Sequence, residues 1–472
     1  MYSSADELIA AVQPAEGGRD VIDPSTGEVF ARVPVATPAD LEDAINRAEA
    51  AQVAWAKLSH AERSDYLNKA ADAVEASAEA LAVLLSREQG KPLNGPNARF
   101  EVGACAGWLR ANAAFEVEPE VLVDDDTQRA ELHYDPIGVV AAINPWNWPM
   151  MIAIWQFAPS LRMGNTVVSK PASSTTLSVL ALAKVLNDVL PEDVLTVVPA
   201  DSKVGAALTG HPKIGKVMFT GSTEVGKIIA RDAADNVARL TLELGGNDAG
   251  IVLPDLDVKA HAENLFWGAF INTGQTCAAL KRLYVPAEIY DEVVEALTEV
   301  AKNMPMGNGL DEQNVLGPLQ NRSQYEVVDR LVNAARDAGA TINVGGDPDA
   351  DAPGFFYPTT IVSNIDNDNP LVAEEQFGPA LPIIKYDSLE QAIEWANGLE
   401  VGLGSSVWSS NTDAAVEVAR QLEAGTTWIN QHGAIDPRVP FGGAKASGYG
   451  LEFGVAGLKS LGQPHVITIP KA

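Results

Sequence analysis

Val139-Val140-Ala141-Ala142-Ile143 leads into Pro145-Trp146-Asn147-Trp148-Pro149, and Thr166-Val167-Val168-Ser169-Lys170 follows. Short apolar runs spaced this way read as strands joined by helices. The pattern continues outward through Leu195-Thr196-Val197-Val198 and Val217-Met218-Phe219, with the Ala- and Leu-rich stretch from Leu177 to Leu190 between them. A second series begins near Gly250-Ile251-Val252-Leu253. It runs through Leu283-Tyr284-Val285, Leu381-Pro382-Ile383-Ile384 and Thr426-Thr427-Trp428-Ile429. Such alternation predicts parallel strands with right-handed helical crossovers, hence an α/β fold with two doubly wound layers.

Upstream, the first hundred residues read mostly as helix. Thr37-Pro38-Ala39-Asp40 is a helix start with a capping Thr, Pro at the first position and an acid in the first turn. Leu41, Ala44, Ile45, Ala48, Ala51 and Trp55 then recur at helical spacing. Ser59 opens a second, long Ala-rich helix that Gly90 and Pro92 close. Two segments stand apart: a hairpin from Val117 to Tyr134 around Asp124-Asp125-Asp126, and a terminal strand from Lys459 to Ile469. A two-stranded hairpin is marginal alone. Pairing with the terminal strand, and with a strand of another subunit, would complete it, so an oligomer is expected.

The chain has 472 residues, 46% of them hydrophobic, which is material for two to three domains. Its net charge of −30, from 33 basic and 63 acidic residues, opposes contact with nucleic-acid phosphates. Two cysteines argue against a disulfide framework and exclude a cysteine-based zinc site. The six histidines show no metal-ligand spacing, so no metal is expected. The N-terminus lacks the basic start and apolar core of a signal peptide, and no run of about 18 apolar residues is present. A soluble cytoplasmic protein without membrane partners is the expectation.

Several strand ends and turns carry motifs that each admit two readings. The Pro/Trp corner could aim the Asn147 amide at a developing oxyanion, although Asn in a turn often bonds its own backbone. Lys170, in Ser169-Lys170-Pro171-Ala172-Ser173, sits where open α/β sheets face their ligand crevice, and fits a cofactor contact or a surface lysine. Gly221 and Ser222, in Phe219-Thr220-Gly221-Ser222-Thr223, lie between strand and helix. Glycine there permits a pyrophosphate to approach helix N–H groups, yet close helix–sheet packing asks for glycine as well. Glu374-Glu375-Gln376-Phe377-Gly378-Pro379 sets a carboxylate and an aromatic either side of one residue, or is an acidic surface turn. Pro440-Phe441-Gly442-Gly443 reads on its own as a glycine-rich loop. Cys277 ends Asn272-Thr273-Gly274-Gln275-Thr276-Cys277, 34 positions after Glu243 of Leu242-Glu243-Leu244-Gly245-Gly246. The two form a nucleophile–base pair, or Cys277 packs as a small hydrophobe. The other cysteine, Cys105, falls in a predicted helix with no such company.

In order and separation these motifs together resemble the NAD(P)-dependent aldehyde dehydrogenase superfamily, over about residues 20 to 470. The resemblance implies two Rossmann-like domains plus a small β oligomerisation arm. It divides the chain into a NAD(P)-binding domain (1–116 and 139–243), a catalytic domain (244–447) and a bridging element (117–138 and 448–472). Cys277 matches the family's nucleophile, Asn147 its oxyanion amide and Glu243 its general base. Lys170 matches the adenine-ribose contact, Ser222 with Gly221 the pyrophosphate turn, and Trp146 part of the cofactor cleft. Glu375 and Phe377 match the pair that holds the nicotinamide ribose and ring. A homodimer or homotetramer follows.

Two departures bear on the cofactor. Ser173 stands where NAD-preferring members often have Glu, which removes a repulsion against a 2′-phosphate. Asp201 stands where relatives commonly have Gly and restores an opposing acid, so the cofactor is NAD or NADP. Family positions of the aldehyde tunnel map to Trp148, Met151, Trp155, Ile271, Thr276, Ala278 and Phe441. This mainly apolar set implies an uncharged, hydrophobic or aromatic aldehyde. Arg438 is the one nearby cation that would suit a carboxylate-bearing semialdehyde, or it is a solvated loop arginine. The alternatives are a CoA-acylating or succinate-semialdehyde-type enzyme, and a catalytically silent cofactor-binding protein.

Overall fold

The computed structural model describes residues 1–349 and 351–471. Its first large sheet has six strands. Val139–Asn144 lies between Ile214–Thr220 and Thr166–Pro171; Leu195–Val197 forms one flank, and Arg239–Glu243 followed by Gly448–Tyr449 the other. All pairs are parallel except the last, in which Gly448 faces Glu243. The chain crosses from the Leu195–Val197 side back over Val139–Asn144 to build the other half. That reversal of strand order creates a switch point at the carboxyl ends.

Both faces of this sheet are covered, which is why its strands read as unbroken apolar runs rather than alternating ones. Val139, Ala141 and Ile143 pack with Leu41, Ile45, Leu208 and Ile229 on one face. Ala142 turns the other way, into a core built from the helices Leu67, Leu81, Val102, Phe157 and Leu182 belong to. The period of two is therefore expressed in packing even where composition hides it.

The second large sheet has seven strands, ordered Thr341–Val344, Thr360–Ser363, Ala380–Tyr386, Leu280–Pro286, Asp248–Val252, Gly404–Trp408 and Thr426–Ile429. Only the Thr341–Val344 edge is antiparallel. A third, antiparallel sheet sets Gly462–Pro470 against Gln128–Pro136, which pairs with Glu120–Asp124. Val121, Leu122, Val466 and Ile469 remain exposed on it.

The structure departs from the sequence reading in three local ways. The long helix expected after Ser59 is two, His60–Ala76 and Ala78–Gln89. They break at Ser77, whose buried hydroxyl accepts the backbone N–H of Tyr2 as the N-terminal helix Ala5–Val12 docks. A small hairpin, Arg19–Ile22 with Val29–Val33, interrupts the helical first hundred residues. The terminal strand begins at Gly462, because Gly454–Lys459 is a helical turn.

Candidate active site

Strand register brings the first wall of the site together. Ile143 pairs with both Lys170 and Phe219, and Thr220 pairs with Glu243. The turns that follow these strands thus leave the sheet at one level. A cleft of about 750 Å³ opens there, with Trp146, Asn147, Lys170, Gly221 and Ser222 in its lining. Cys277, Glu375 and Phe377 line its opposite side.

The second wall is built differently. Its residues precede strands instead of following them: Cys277 lies ahead of Leu280–Pro286, and Glu375 and Phe377 lie ahead of Ala380–Tyr386. After helix Val258–Phe270 the backbone passes through three left-handed residues, Asn272 (φ 51°), Thr273 (φ 56°) and Gly274 (φ 75°). Left-handed non-glycine residues persist only where contacts over-determine them. Gln275 does this here: its Nε2 donates to Asn272 O at 3.1 Å and its Oε1 accepts the N–H of Gln320 at 2.9 Å. Gly274 must lack a Cβ, which would stand 2.3 Å from the Gly378 carbonyl.

Asn147 is 3% exposed, and its turn is held from below by residues the sequence reading missed. Lys91 Nζ donates to Asn147 O at 2.8 Å, and Asn272 Nδ2 donates to the same oxygen at 2.8 Å. Lys91 also pairs with Glu101, both side chains being fully buried, and lies 3.6 Å from the centre of the Trp148 ring. Glu101 Oε1 accepts the N–H groups of Met150 and Met151 at 2.9 and 3.1 Å. It therefore satisfies the buried N–H groups at the start of helix Pro149–Arg162, which leaves Asn147 free of the capping duty that Asn often has in turns. Gly90-Lys91-Pro92, a charge between two helix-ending residues, was the signal for this support.

Glu243 is 4% exposed, and neither of its carboxylate oxygens has a hydrogen-bond partner among the described residues. Burial first, and then the neighbouring Glu452 carboxylate, hold its carboxyl well above the usual range. Glu452 is itself pushed up to about 8 by burial, with Lys216 pulling the other way. The glycines of Phe441-Gly442-Gly443 leave room beside Glu243: a Cβ on Gly442 would come 3.4 Å from Oε1. Burial pushes the Cys277 thiol up to about 12 against the pull of Lys281, and the Asp248, Glu375 and Glu243 charges add to the rise.

Glu375 closes over the Gly-Gly turn, since a Cβ on Gly245 would sit 2.9 Å from its Oε2. Burial raises its carboxyl and Lys281, 3.0 Å from Oε1, draws it back. Phe377, held at φ 44°, meets Trp146 edge to face at 5.3 Å. Carboxylate, aromatic edge and a helix start at Ser222, whose Oγ accepts the Val225 N–H, fit an elongated dinucleotide: ribose hydroxyls at one end and a pyrophosphate at helix N–H groups. Lys170 is half-buried and packs against Gly205, which has no side chain to obstruct it. Ser173 does not line the cleft; it is exposed on the turn Ser173–Thr175. Asp201 caps helix Ser202–Thr209, accepting the Val204 N–H at 3.0 Å.

The apolar residues expected to line an aldehyde tunnel form one packed body, and none of them is in the cleft lining. Trp148, Met151, Trp155, Ala278 and Phe441 are buried in a single cluster against which Ile271 and Cys277 pack. Thr276 joins through its hydroxyl, which accepts from Trp148 Nε1 at 2.9 Å. Trp108 and Phe453 extend this set; the Trp155 and Phe453 rings are 4.8 Å apart and Trp108 and Trp155 5.7 Å. Neither was anticipated, because both come from segments remote from the motifs. Arg438 is 78% exposed and paired with Asp436, the solvated arginine of the two readings.

The sequence model described as "Aldehyde dehydrogenase family" matches residues 12–467. The aldehyde dehydrogenase LUC3 of a Fusarium species is 38% identical over 451 residues, covering 95% of each chain. A phenylacetaldehyde dehydrogenase of Pseudomonas fluorescens is 38% identical, over 93% of this chain and 90% of its own. Among solved structures, the NAD+ complex of an aldehyde dehydrogenase from Bacillus cereus superposes with a TM-score of 0.92 at 34% identity, covering 96% of this chain and 93% of that one.

Proposed function

Because the chain belongs to the aldehyde dehydrogenase family, we propose that it oxidises an uncharged, hydrophobic or aromatic aldehyde to its acid through a thioester on Cys277. The observation that carries this reading is convergence. A thiol, an amide without a capping role and a dinucleotide-shaped row of contacts share one cleft, and a carboxylate without partners lies just behind it. Trp146, Lys170, Gly221, Ser222, Glu375 and Phe377 would hold NAD or NADP, which supplies a hydride acceptor when bound.

Cys277 gives its proton to solvent and the thiolate attacks the carbonyl carbon, forming a C–S bond as the C=O π pair moves to oxygen. The Asn147 amide and the Cys277 backbone N–H donate to the resulting alkoxide, and each such donor typically lowers the barrier by about 2.7–4 kcal/mol. After oxidation of that carbon, Cys277 carries a thioester. Glu243 takes a proton from water, the hydroxide adds to the thioester, and the acid leaves as the thiol is restored. An unpartnered carboxylate is free to bind that water, and its raised affinity for a proton makes it the stronger base once ionised.

The apolar cluster supports an uncharged substrate, as does the self-neutralised Arg438–Asp436 pair. The phenylacetaldehyde named in the Pseudomonas relative is of that kind. The exposed apolar residues of the third sheet support a homodimer or homotetramer, and the division at about 117, 139, 244 and 448 is proposed to separate cofactor, catalytic and bridging parts. No helix among the described residues is long and apolar enough to cross a membrane, in keeping with the proposed cytoplasmic setting.

Formation of NADH or NADPH from benzaldehyde, phenylacetaldehyde, hexanal and succinate semialdehyde tests the reading. The apolar aldehydes are expected to lead in kcat/KM, with Cys277→Ala inactive. A lead for succinate semialdehyde by orders of magnitude would refute the apolar tunnel. Dependence of turnover on CoA would refute hydrolysis by Glu243, and no turnover of any aldehyde would favour the silent cofactor-binding alternative. Isothermal titration with each cofactor separates NAD from NADP.

A further inference from the structure

Lys281-Arg282 interrupts the otherwise apolar strand Leu280–Pro286, so two cations are buried on opposite faces of one strand. Arg282 serves architecture: it donates to Asn247 O at 2.8 Å and to the carbonyls of Trp395 and Ala396 at 3.1 Å each. Lys281 is placed otherwise. Its side chain is 2% exposed, its Nζ donates to the Cys277 carbonyl, and the same nitrogen lies 3.0 Å from Glu375 Oε1. That oxygen has no aligned hydrogen bond among the described residues, so the contact is a charge pair that a better partner could loosen.

The charges around Cys277 come from four elements. Lys281 approaches from its own strand, Asp248 from Asp248–Val252, Glu375 from the turn before Ala380–Tyr386, and Glu243 from the end of Arg239–Glu243. Asp248 is turned partly away, accepting the Gly404 N–H at 3.0 Å and facing the His432 ring at 3.4 Å. Lys281 is the only cation in this set, and three carboxyl groups stand against it. A buried ammonium held on the carbonyl of the cysteine residue and facing a carboxylate favours the nearby thiolate more as the carboxylate's own claim weakens.

We propose that Lys281 is a positioning residue that ties cofactor occupancy to thiol ionisation: it anchors the nucleophile segment through the Cys277 carbonyl and divides its charge between Glu375 and the sulfur, so that ribose hydroxyls taken up by Glu375 turn that charge toward the thiolate. The proposal rests on the reading above that Glu375 meets the nicotinamide ribose. It assigns to one lysine a link that the separate roles of Cys277 and Glu375 leave unmade.

The test is the pH profile of Cys277 alkylation by iodoacetamide, followed by mass spectrometry on the full chain with and without saturating NAD+ or NADP+. The midpoint is read rather than the rate, because bound nucleotide also shields the sulfur. In the wild type, cofactor is expected to lower the midpoint. In Lys281→Met the midpoint rises and the cofactor shift disappears, slowing alkylation near neutrality by about tenfold for each pH unit of displacement. Lys281→Arg keeps the charge and restores the shift. Glu375→Gln lowers the midpoint without cofactor and abolishes the response, which keeps the test open if Lys281→Met fails to fold. A folded Lys281→Met with the wild-type profile, a Glu375→Gln that still responds, or a wild type without a cofactor shift would overturn the proposal. A wild type that shows the shift yet oxidises no aldehyde would instead refute the assigned function and leave the coupling standing.

Discussion

Glu101 and Glu243 are both buried carboxylates, 0% and 4% exposed, and their surroundings are opposite. Glu101 spends one oxygen on two backbone N–H groups and the other on Lys91. Glu243 has no partner for either oxygen among the described residues, and the charge beside it is another carboxylate. Buried polar groups in folded proteins are nearly always satisfied, so an exception calls for a reason. Beneath Asn147 the reason for satisfaction is rigidity: the fold fixes a corner that must not move. Beside Cys277, on the proposed function, the unmade bonds are the working part, left for water and a proton. The same residue type is scaffold in one region and, as proposed, reagent in the other.

Removing each carboxylate's function should separate the two regions, and Glu243→Gln carries the largest effect. It should lower kcat by about 10²–10⁴-fold, the usual worth of a general base. Thermal unfolding should be unchanged or raised, since an uncompensated buried acid has gone. A loss of stability instead would make Glu243 scaffold as well. Next comes Lys91→Met, which strands Glu101 as a buried charge and should cost about 3–5 kcal/mol in urea denaturation. A cost below about 1 kcal/mol would show that the Lys91–Glu101 pair holds nothing. Smallest is Asn147→Ala, expected to raise the barrier by about 2.7–4 kcal/mol, measured as kcat/KM, without altering the unfolding midpoint. A fall in stability there would blur the line between corner and reagent.

The first sheet was legible because parallel strands covered on both faces announce themselves as apolar runs, and because its candidate cofactor residues follow strand ends directly. That rule pointed Lys170 and the 221–222 turn toward the crevice, and the resemblance then chose between the two readings each allowed. The second wall could not be read this way, since Cys277 and Glu375 precede their strands and are placed by the left-handed run 272–274 and by Phe377, conformations that Asn, Thr and Phe do not advertise. Their placement was reachable only through the family resemblance. Strands Arg239–Glu243 and Gly404–Trp408 escaped notice for want of a run of β-branched residues. Lys91, Glu101, Trp108, Lys281 and Phe453 escaped for another reason: each acts through a partner far away in sequence, and periodicity carries no trace of such pairings.

The central claim, that Glu243 removes an acyl group from Cys277, is tested most directly by quenching Glu243→Gln during turnover with NAD+ and the best aldehyde of the panel, then weighing the protein intact and after digestion. An acyl adduct of the substrate's mass on the Cys277 peptide, accumulating to near one per chain, is the predicted result. Undiminished release of acid with no adduct on Cys277 would contradict it.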